Sequence, residues 1–187
     1  MRSIVLDKNI VRNHGKEARK NLTQDERMHF SAVISGKIFE SEEFKEATNV
    51  MIYKAMKSEV CLDGLEGEGK QIAYPYCINK TDMVALIPSA EDAWAPGAFG
   101  ILEPQPDKSH ELSPDEIDLV ICPCTAFDEN GNRMGMGAGY YDRFLEKCVN
   151  AKIIAVAFDC QKVDAVPSEP HDVRMQKVYT EKKIYKF

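Results

Sequence analysis

DLVICPCTAFDENGNRMGMGAGYYDRFL, residues 118 to 145, passes from an apolar strand through a glycine-rich loop into an amphipathic segment. Leu119–Cys122 reads as a strand, and Gly135, Gly137 and Gly139 alternate along the loop that follows. Tyr141, Phe144, Leu145 and Cys148 then recur at i, i+3, i+4 and i+7, which predicts a helix beginning near Gly139. Strand, glycine loop, helix is the arrangement in which backbone amides and a helix N-terminus, carrying about +0.5 of a charge, cradle a phosphate. Arg133 adds a cation at the start of the loop. Asp142 falls in the helix's first turn, where a carboxylate either balances the helix dipole or holds a divalent cation that bridges phosphates. A second carboxylate is expected at another strand's C-terminal edge, and Asp172 is the candidate. The glycine spacing matches neither GxGxxG nor GxxxxGK[ST]. Taken alone, the stretch supports a phosphorylated ligand and nothing narrower.

Outward from this stretch, short apolar runs alternate with helical patterns. Asn49–Tyr53, Gln71–Tyr74 (stopped by Pro75), Met83–Ile87 and Ile153–Phe158 read as strands, and Val178–Thr180 as a last strand or edge. A helix is predicted over Asp7–Leu22 with Asp7 as N-cap. Thr23-Gln-Asp-Glu26 is a capping box opening a second helix, with Phe30, Val33, Ile34 and Ile38 at core spacing. A short helix is expected over Val60–Leu65, with Glu59 as its cap. This alternation predicts an α/β fold: a single three-layer domain, a mostly parallel open sheet with helices on both faces. Pro88 to Pro114 reads as irregular.

Spacings of four put Lys8, Arg12 and Lys16 on one helical face, either a solvated basic face or a cationic row aimed at polyphosphate. Lys54–Glu59 follows a strand's C-terminal end, the edge where open α/β sheets bind ligands. Gly97–Pro104 suits one wall of an aromatic-ligand pocket or ordinary loop packing.

The totals exclude several classes. The chain has 187 residues, 44% of them hydrophobic and 29% charged, the balance of a soluble globular domain. A net charge of -6 and a pI near 5.3 argue against nucleic acid as a partner. No apolar run reaches the roughly 18 residues of a membrane helix, and the N-terminus is too charged for a signal-peptide core. The six cysteines are scattered without a CxxC, as expected of thiols in a reducing cytoplasm.

Ala126-Phe-Asp128, Gly131-Asn-Arg133 and Gly135-Met-Gly-Ala-Gly-Tyr-Tyr-Asp-Arg-Phe-Leu145 together resemble the signature of 5-formyltetrahydrofolate cyclo-ligase, also called 5,10-methenyltetrahydrofolate synthetase. The resemblance extends over Lys8-x-x-x-Arg12, Tyr53…Glu59, Phe99–Pro104 and Gln161…Val166-Pro167…His171-Asp172, and implies one such domain over residues 1–187. It implies an ATP- and Mg²⁺-dependent closure of 5-formyltetrahydrofolate to 5,10-methenyltetrahydrofolate, releasing ADP and phosphate through a phosphorylated formyl group. Positioning and charge neutralisation suffice for such chemistry, in keeping with a sequence that offers no Ser/His/Asp or Cys/His arrangement.

Position by position, the resemblance assigns ATP to Lys8, Arg12, Arg133, Met134, Gly135, Met136, Gly137, Ala138, Gly139, Tyr140 and Tyr141. It assigns the folate to Arg12, Lys54, Glu59 and the Met136–Tyr140 segment; location and side-chain chemistry add Met83, Phe99 and Ile101 as expected pocket lining. The metal falls to Asp142 and Asp172, and catalysis to Arg133, Tyr140 and Asp142. Met136 and Ala138 stand where some relatives carry basic residues, which leaves phosphate charge to Arg133, Lys8, Arg12 and Mg²⁺. The expected partners are these small molecules, with neither nucleic acid nor membrane, in a cytoplasmic monomer or small homo-oligomer. Two alternatives stay open: a non-catalytic nucleotide- or folate-binding protein, and a sugar-phosphate isomerase-like enzyme on a similar scaffold.

Overall fold

The apolar run of residues 119–123 becomes the middle of an eight-stranded sheet in the computed structural model of the chain. The structure describes residues 7–66, 69–97, 100–170 and 172–187; the expected pocket residue Phe99 and His171 of the late motif lie outside them. From edge to edge the strands are Ile184–Lys186 (β12), Lys177–Tyr179 (β11), Lys152–Val156 (β10), Leu119–Pro123 (β7), Asn49–Met51 (β1), Gln71–Cys77 (β2), Met83–Pro88 (β3) and Ser109–Leu112 (β6). The five from β11 to β2 are mutually parallel, and β12, β3 and β6 pair antiparallel at the two flanks. The mostly parallel three-layer architecture is therefore as expected.

Period-two alternation sends each central strand's side chains to two faces. Leu119, Ile121, Ile154 and Val156 pack with Ile34 and Ile38 of α2 (Gln24–Phe39) and Phe44 of α3 (Glu42–Glu46). Val120, Cys122, Ile153 and Ala155 pack on the other face with Phe144 and Leu145 of α4 (Tyr140–Leu145). Both halves of the Thr23–Glu26 capping box form. The first helix, α1 (Lys8–Lys20), is capped by Asp7 and lies not on the sheet but over a small hairpin, β8 (Ala126–Phe127) with β9 (Arg133–Met134). It comes so close that a Cβ on Gly15 would sit 1.9 Å from the Thr125 carbonyl oxygen.

Three local expectations are corrected. Strand β2 runs through Pro75 to Cys77. Gln71 and Ala73 turn their backbone groups toward β1, and alternation puts Pro75 on that same side, beyond the last β1 pairing at Ala73. A residue without an N–H loses no ladder bond there. Val60–Leu65 forms turns rather than a helix, because its backbone is claimed by side chains: Tyr53 donates to the Val60 carbonyl at 2.7 Å and the Cys61 N–H donates to Ser31 at 3.0 Å. Glu59 therefore caps nothing. The irregular stretch carries a hairpin, β4 (Trp94–Pro96) with β5 (Leu102–Pro104), whose Trp94 meets Tyr74 edge-on at 4.7 Å. Among the described residues, no helix is long and apolar enough to cross a membrane.

Candidate active site

Strand order reverses between β1 and β7, since the chain proceeds from β1 to β2 on one side and from β7 to β10 on the other. The crevice at the C-terminal ends of such a pair is where open α/β sheets take their ligands. A cavity of about 560 Å³ opens there.

One wall is the glycine loop. Residues 133 to 142 all line the cavity, including Met134, Gly135, Ala138 and the exposed Met136. Gly139 caps α4 with φ +70°, a backbone conformation L side chains rarely adopt, and a Cβ there would meet Arg143 at 2.6 Å. The loop is pinned from behind. Thr125 donates to the Met134 carbonyl at 2.8 Å, and Gln161 donates to the carbonyls of Cys124 and Thr125 at 2.8 and 3.0 Å. Asp128 accepts from both Asn130 and Asn132 amides, the Asn132 side chain and the Val166 amide. The signature residues of this region that carry no chemistry thus build its frame.

Besides Lys54, four cations among the described residues line the cavity, two from α1 and one each from β9 and α4. Lys8, on the first turn of α1, pairs with Glu169 at 2.9 Å and Asp172 at 3.6 Å. Partial burial disfavours its ammonium form, but those two carboxylates outweigh it and raise its pKa. Arg12, one turn on, donates to the Gly135 carbonyl at 3.1 Å, while Lys16 of the same row does not line the cavity. Arg133 is set into the wall, its side chain only 2% exposed. It donates to the Pro123 carbonyl at 3.2 Å, pairs with Asp142 at 3.0 Å, and lies over the Tyr141 ring at 5.4 Å. Its Nε is buried with no partner among the described residues. Arg143, not among the expected site residues although it sits inside the signature, lines the cavity and donates to the Thr81 and Ala138 carbonyls at 2.7 and 2.8 Å.

The opposite wall gathers Lys54, Glu59, Met83 and Ile101. Lys54 lies 5.2 and 5.1 Å from the ring centres of Tyr74 and Trp94 and pairs with Glu66 at 2.6 Å and Asp63 at 3.3 Å. Glu59 is held by Arg19 at 3.3 Å, with the side chains 7% and 4% exposed, and accepts the Met56 amide at 3.0 Å. Arg19 went unrecognised because spacings of four single out Lys8, Arg12 and Lys16; at i+11 from Lys8 and i+7 from Arg12 it shares their face of α1, which was the available signal. Tyr140 donates to the Asn79 carbonyl at 2.9 Å. Asp142 and Asp172 both line the cavity, and among the described residues no three His, Cys, Asp or Glu gather into a ligand set. Hard carboxylate oxygens in ones and twos suit a cation that takes its other ligands from phosphate and water. The thiols of Cys122 and Cys124 are pushed up to about 12 by burial, so neither supplies a thiolate nucleophile near neutrality.

A glycine loop set with cations, facing an aromatic and carboxylate wall across one cavity, has the layout of a ligase or phosphoryl-transfer enzyme acting on small molecules. The sequence model of the 5-formyltetrahydrofolate cyclo-ligase family matches residues 5–181, and the chain belongs to that family. It is 29% identical over 181 residues to a mouse (Mus musculus) protein named 5-formyltetrahydrofolate cyclo-ligase, covering 89% of each chain. The Haemophilus influenzae protein of the same name is 29% identical over 171 residues, covering 87% of this chain and 91% of its own. The solved structure of an Aquifex aeolicus 5,10-methenyltetrahydrofolate synthetase superposes with a TM-score of 0.83 at 29% identity, over 96% of this chain and 92% of that one.

Proposed function

We propose that the protein converts 5-formyltetrahydrofolate to 5,10-methenyltetrahydrofolate with ATP, releasing ADP and phosphate. The observation behind the proposal is that the glycine loop with Lys8 and Arg12, and the Lys54, Glu59, Met83 and Ile101 wall, line one cavity. Two substrates bound there have their reacting groups side by side, and positioning of that kind is a large part of catalysis between two bound molecules. The formyl oxygen attacks the γ-phosphorus and ADP leaves. N10 then attacks the former formyl carbon and gives up its proton, and that oxygen departs with the phosphate. The protein supplies no covalent nucleophile. The glycine loop takes the phosphates, and Lys8, Arg12 and Arg133 offset their charge. The buried Glu59 carboxylate, fixed by Arg19, accepts hydrogen bonds from the pterin's amino-pyrimidine edge.

Asp142 and Asp172 are the residues that would hold Mg²⁺, which when bound neutralises phosphate charge. We place the protein in the cytoplasm, in line with six cysteines that are all free thiols. Purified protein mixed with 5-formyltetrahydrofolate, ATP and Mg²⁺ tests the proposal through the near-ultraviolet absorbance of the methenyl product. ATP-dependent growth of that band is expected. Nucleotide binding without the band would leave a binding protein only.

A further inference from the structure

Arg143 lines the cavity, yet the proposed chemistry gives it no task. Its half-buried guanidinium is spent on two backbone carbonyls from different parts of the chain. Nη2 donates to the Ala138 carbonyl of the glycine loop at 2.8 Å, and Nε donates to the Thr81 carbonyl at 2.7 Å. The group lies so near the loop that a Cβ on Gly139 would meet Nη1 at 2.6 Å, and it stands 5.6 Å from the centre of the Tyr140 ring. Tyr140 works alongside it, its hydroxyl donating to the Asn79 carbonyl at 2.9 Å. Residues three apart are neighbours on a helix, so two adjoining side chains of α4 reach the same turn.

That turn, residues 78–82, joins β2 to β3 and is fixed by its own bonds. The Asn79 side-chain oxygen accepts from the Thr81 and Asp82 amides, both at 2.8 Å, and from the Thr81 hydroxyl at 2.9 Å. Its side-chain nitrogen donates to the Asp82 carboxylate at 3.0 Å, and the Ile78 N–H donates to the Asp82 carbonyl at 3.0 Å. Neither Asn79 nor Thr81 lines the cavity, but Tyr74, Pro75 and Cys77 of β2 and Met83 of β3 do. On the other side, Ala138 is flanked by Gly137 and Gly139, both at positive φ, and glycines hold a loop less firmly than other residues. Arg143 therefore grips the loop where its backbone is freest and ties it to a stiff turn between two cavity strands. An arginine suits this task, because its planar fork spans two acceptors at a fixed spacing, whereas a lysine ammonium is a single point.

We propose that Arg143 is a positioning residue that clasps the glycine loop to the β2–β3 turn, and so sets the spacing between the nucleotide and the folate. The inference rests on the function proposed above. Spacing between two bound substrates matters only when both are present, so the clasp acts on turnover rather than on the binding of either alone. Turnover is followed through the methenyl band, the affinities for ATP and for 5-formyltetrahydrofolate singly by calorimetry, and thermal unfolding alongside. Arg143→Met is expected to lower kcat roughly ten- to a hundredfold, the scale of a misplacement of about 1 Å, with each affinity within about twofold of wild type. Arg143→Lys keeps the charge but loses the span, so its kcat should stay close to that of Arg143→Met. Asn79→Ala loosens the turn from outside the cavity and should also lower kcat. The double variant Asn79→Ala/Arg143→Met should lose less than the product of the two single losses, because both act on one clasp. Full rescue by lysine, or an ATP affinity that falls as far as kcat, would make Arg143 a phosphate-binding charge and overturn the inference. Wild-type turnover in Arg143→Met or in Asn79→Ala would overturn it too, as would a double loss equal to the product. Should Arg143→Met melt below the assay temperature, Arg143→Lys and Asn79→Ala decide. A wild type without ATP-dependent turnover would instead remove the functional reading on which the inference rests.

Discussion

The Arg19–Glu59 pair decides whether one wall of the cavity can do its work. Both side chains are nearly sealed from water, and a buried charge stripped of its partner typically costs about 3–5 kcal/mol. Arg19→Met is expected to lower unfolding stability by about that amount in urea, and to raise the KM for the formylfolate more than that for ATP. Equal effects on the two substrates would make Arg19 a packing residue. Asp142 is the counterpart on the other wall. Asp142→Asn is expected to reduce both turnover and apparent Mg²⁺·ATP affinity, read from initial rates at varied Mg²⁺, and unchanged kinetics would remove it from a metal role. Because Asp142 also balances the deeply set Arg133, the variant should fold but unfold at a lower urea concentration. Neither partnership is visible in the chain itself, where the residues involved stand 40 and 9 positions apart.

Among the elements, α1 brings two cations, Lys8 and Arg12, to the cavity. Lys8 and Arg12 reach the cavity only because Gly15 lets the helix settle on the β8–β9 hairpin, at a distance that leaves no room for a methyl group. Gly15→Ala raises helix propensity by up to about 1 kcal/mol, yet it should destabilise the protein, because overpacking against a fixed carbonyl costs about 1–3 kcal/mol or more. It should also weaken ATP binding by tilting Lys8 and Arg12 away from the loop, and calorimetry with ATP checks the second effect. Elements with strong periodicity or a side-chain cap were legible in the sequence: α1 with its Asp7 cap, α2 with its capping box, and the β7-loop-α4 unit. Those built by long-range pairing were not. Strand β12 and the β4–β5 hairpin have few residues and little pattern, and they exist because β11 and the β2 region offer them an edge or a face. The turns at Val60–Leu65 were misread as helix because the sequence does not show the bonds from Tyr53 and to Ser31 that claim this backbone.

At the scale of the molecule, two carboxylates tie the C-terminal edge of the sheet to the rest. Glu43 of α3 accepts from the Tyr179 hydroxyl at 3.0 Å and pairs with Lys177, and Asp159 accepts from Tyr185 at 2.7 Å and pairs with Lys182 at 3.1 Å. Burial is the largest single influence on each and opposes ionisation, but these partners together outweigh it and hold both pKa values below the ordinary range. A depressed folded-state pKa contributes stability that is complete above the unfolded values, about 4.3 for Glu and 3.9 for Asp, and is lost as pH falls through the folded ones. Urea midpoints should therefore hold level near neutrality and decline below about pH 4. Glu43→Gln should flatten part of that decline, and an unaltered slope would show that the ties carry no linkage. The gathering of the candidate residues was legible to this extent: those the resemblance assigned, Phe99 aside, line one cavity. Its internal wiring was not, because ion pairs and orphan donors depend on which side chains the fold buries together. The most direct test of the proposed chemistry is the mass of the phosphate released from 5-formyltetrahydrofolate labelled with ¹⁸O in the formyl group. Attack of that oxygen on ATP predicts one ¹⁸O in each phosphate formed, and unlabelled phosphate alongside methenyl product would contradict it.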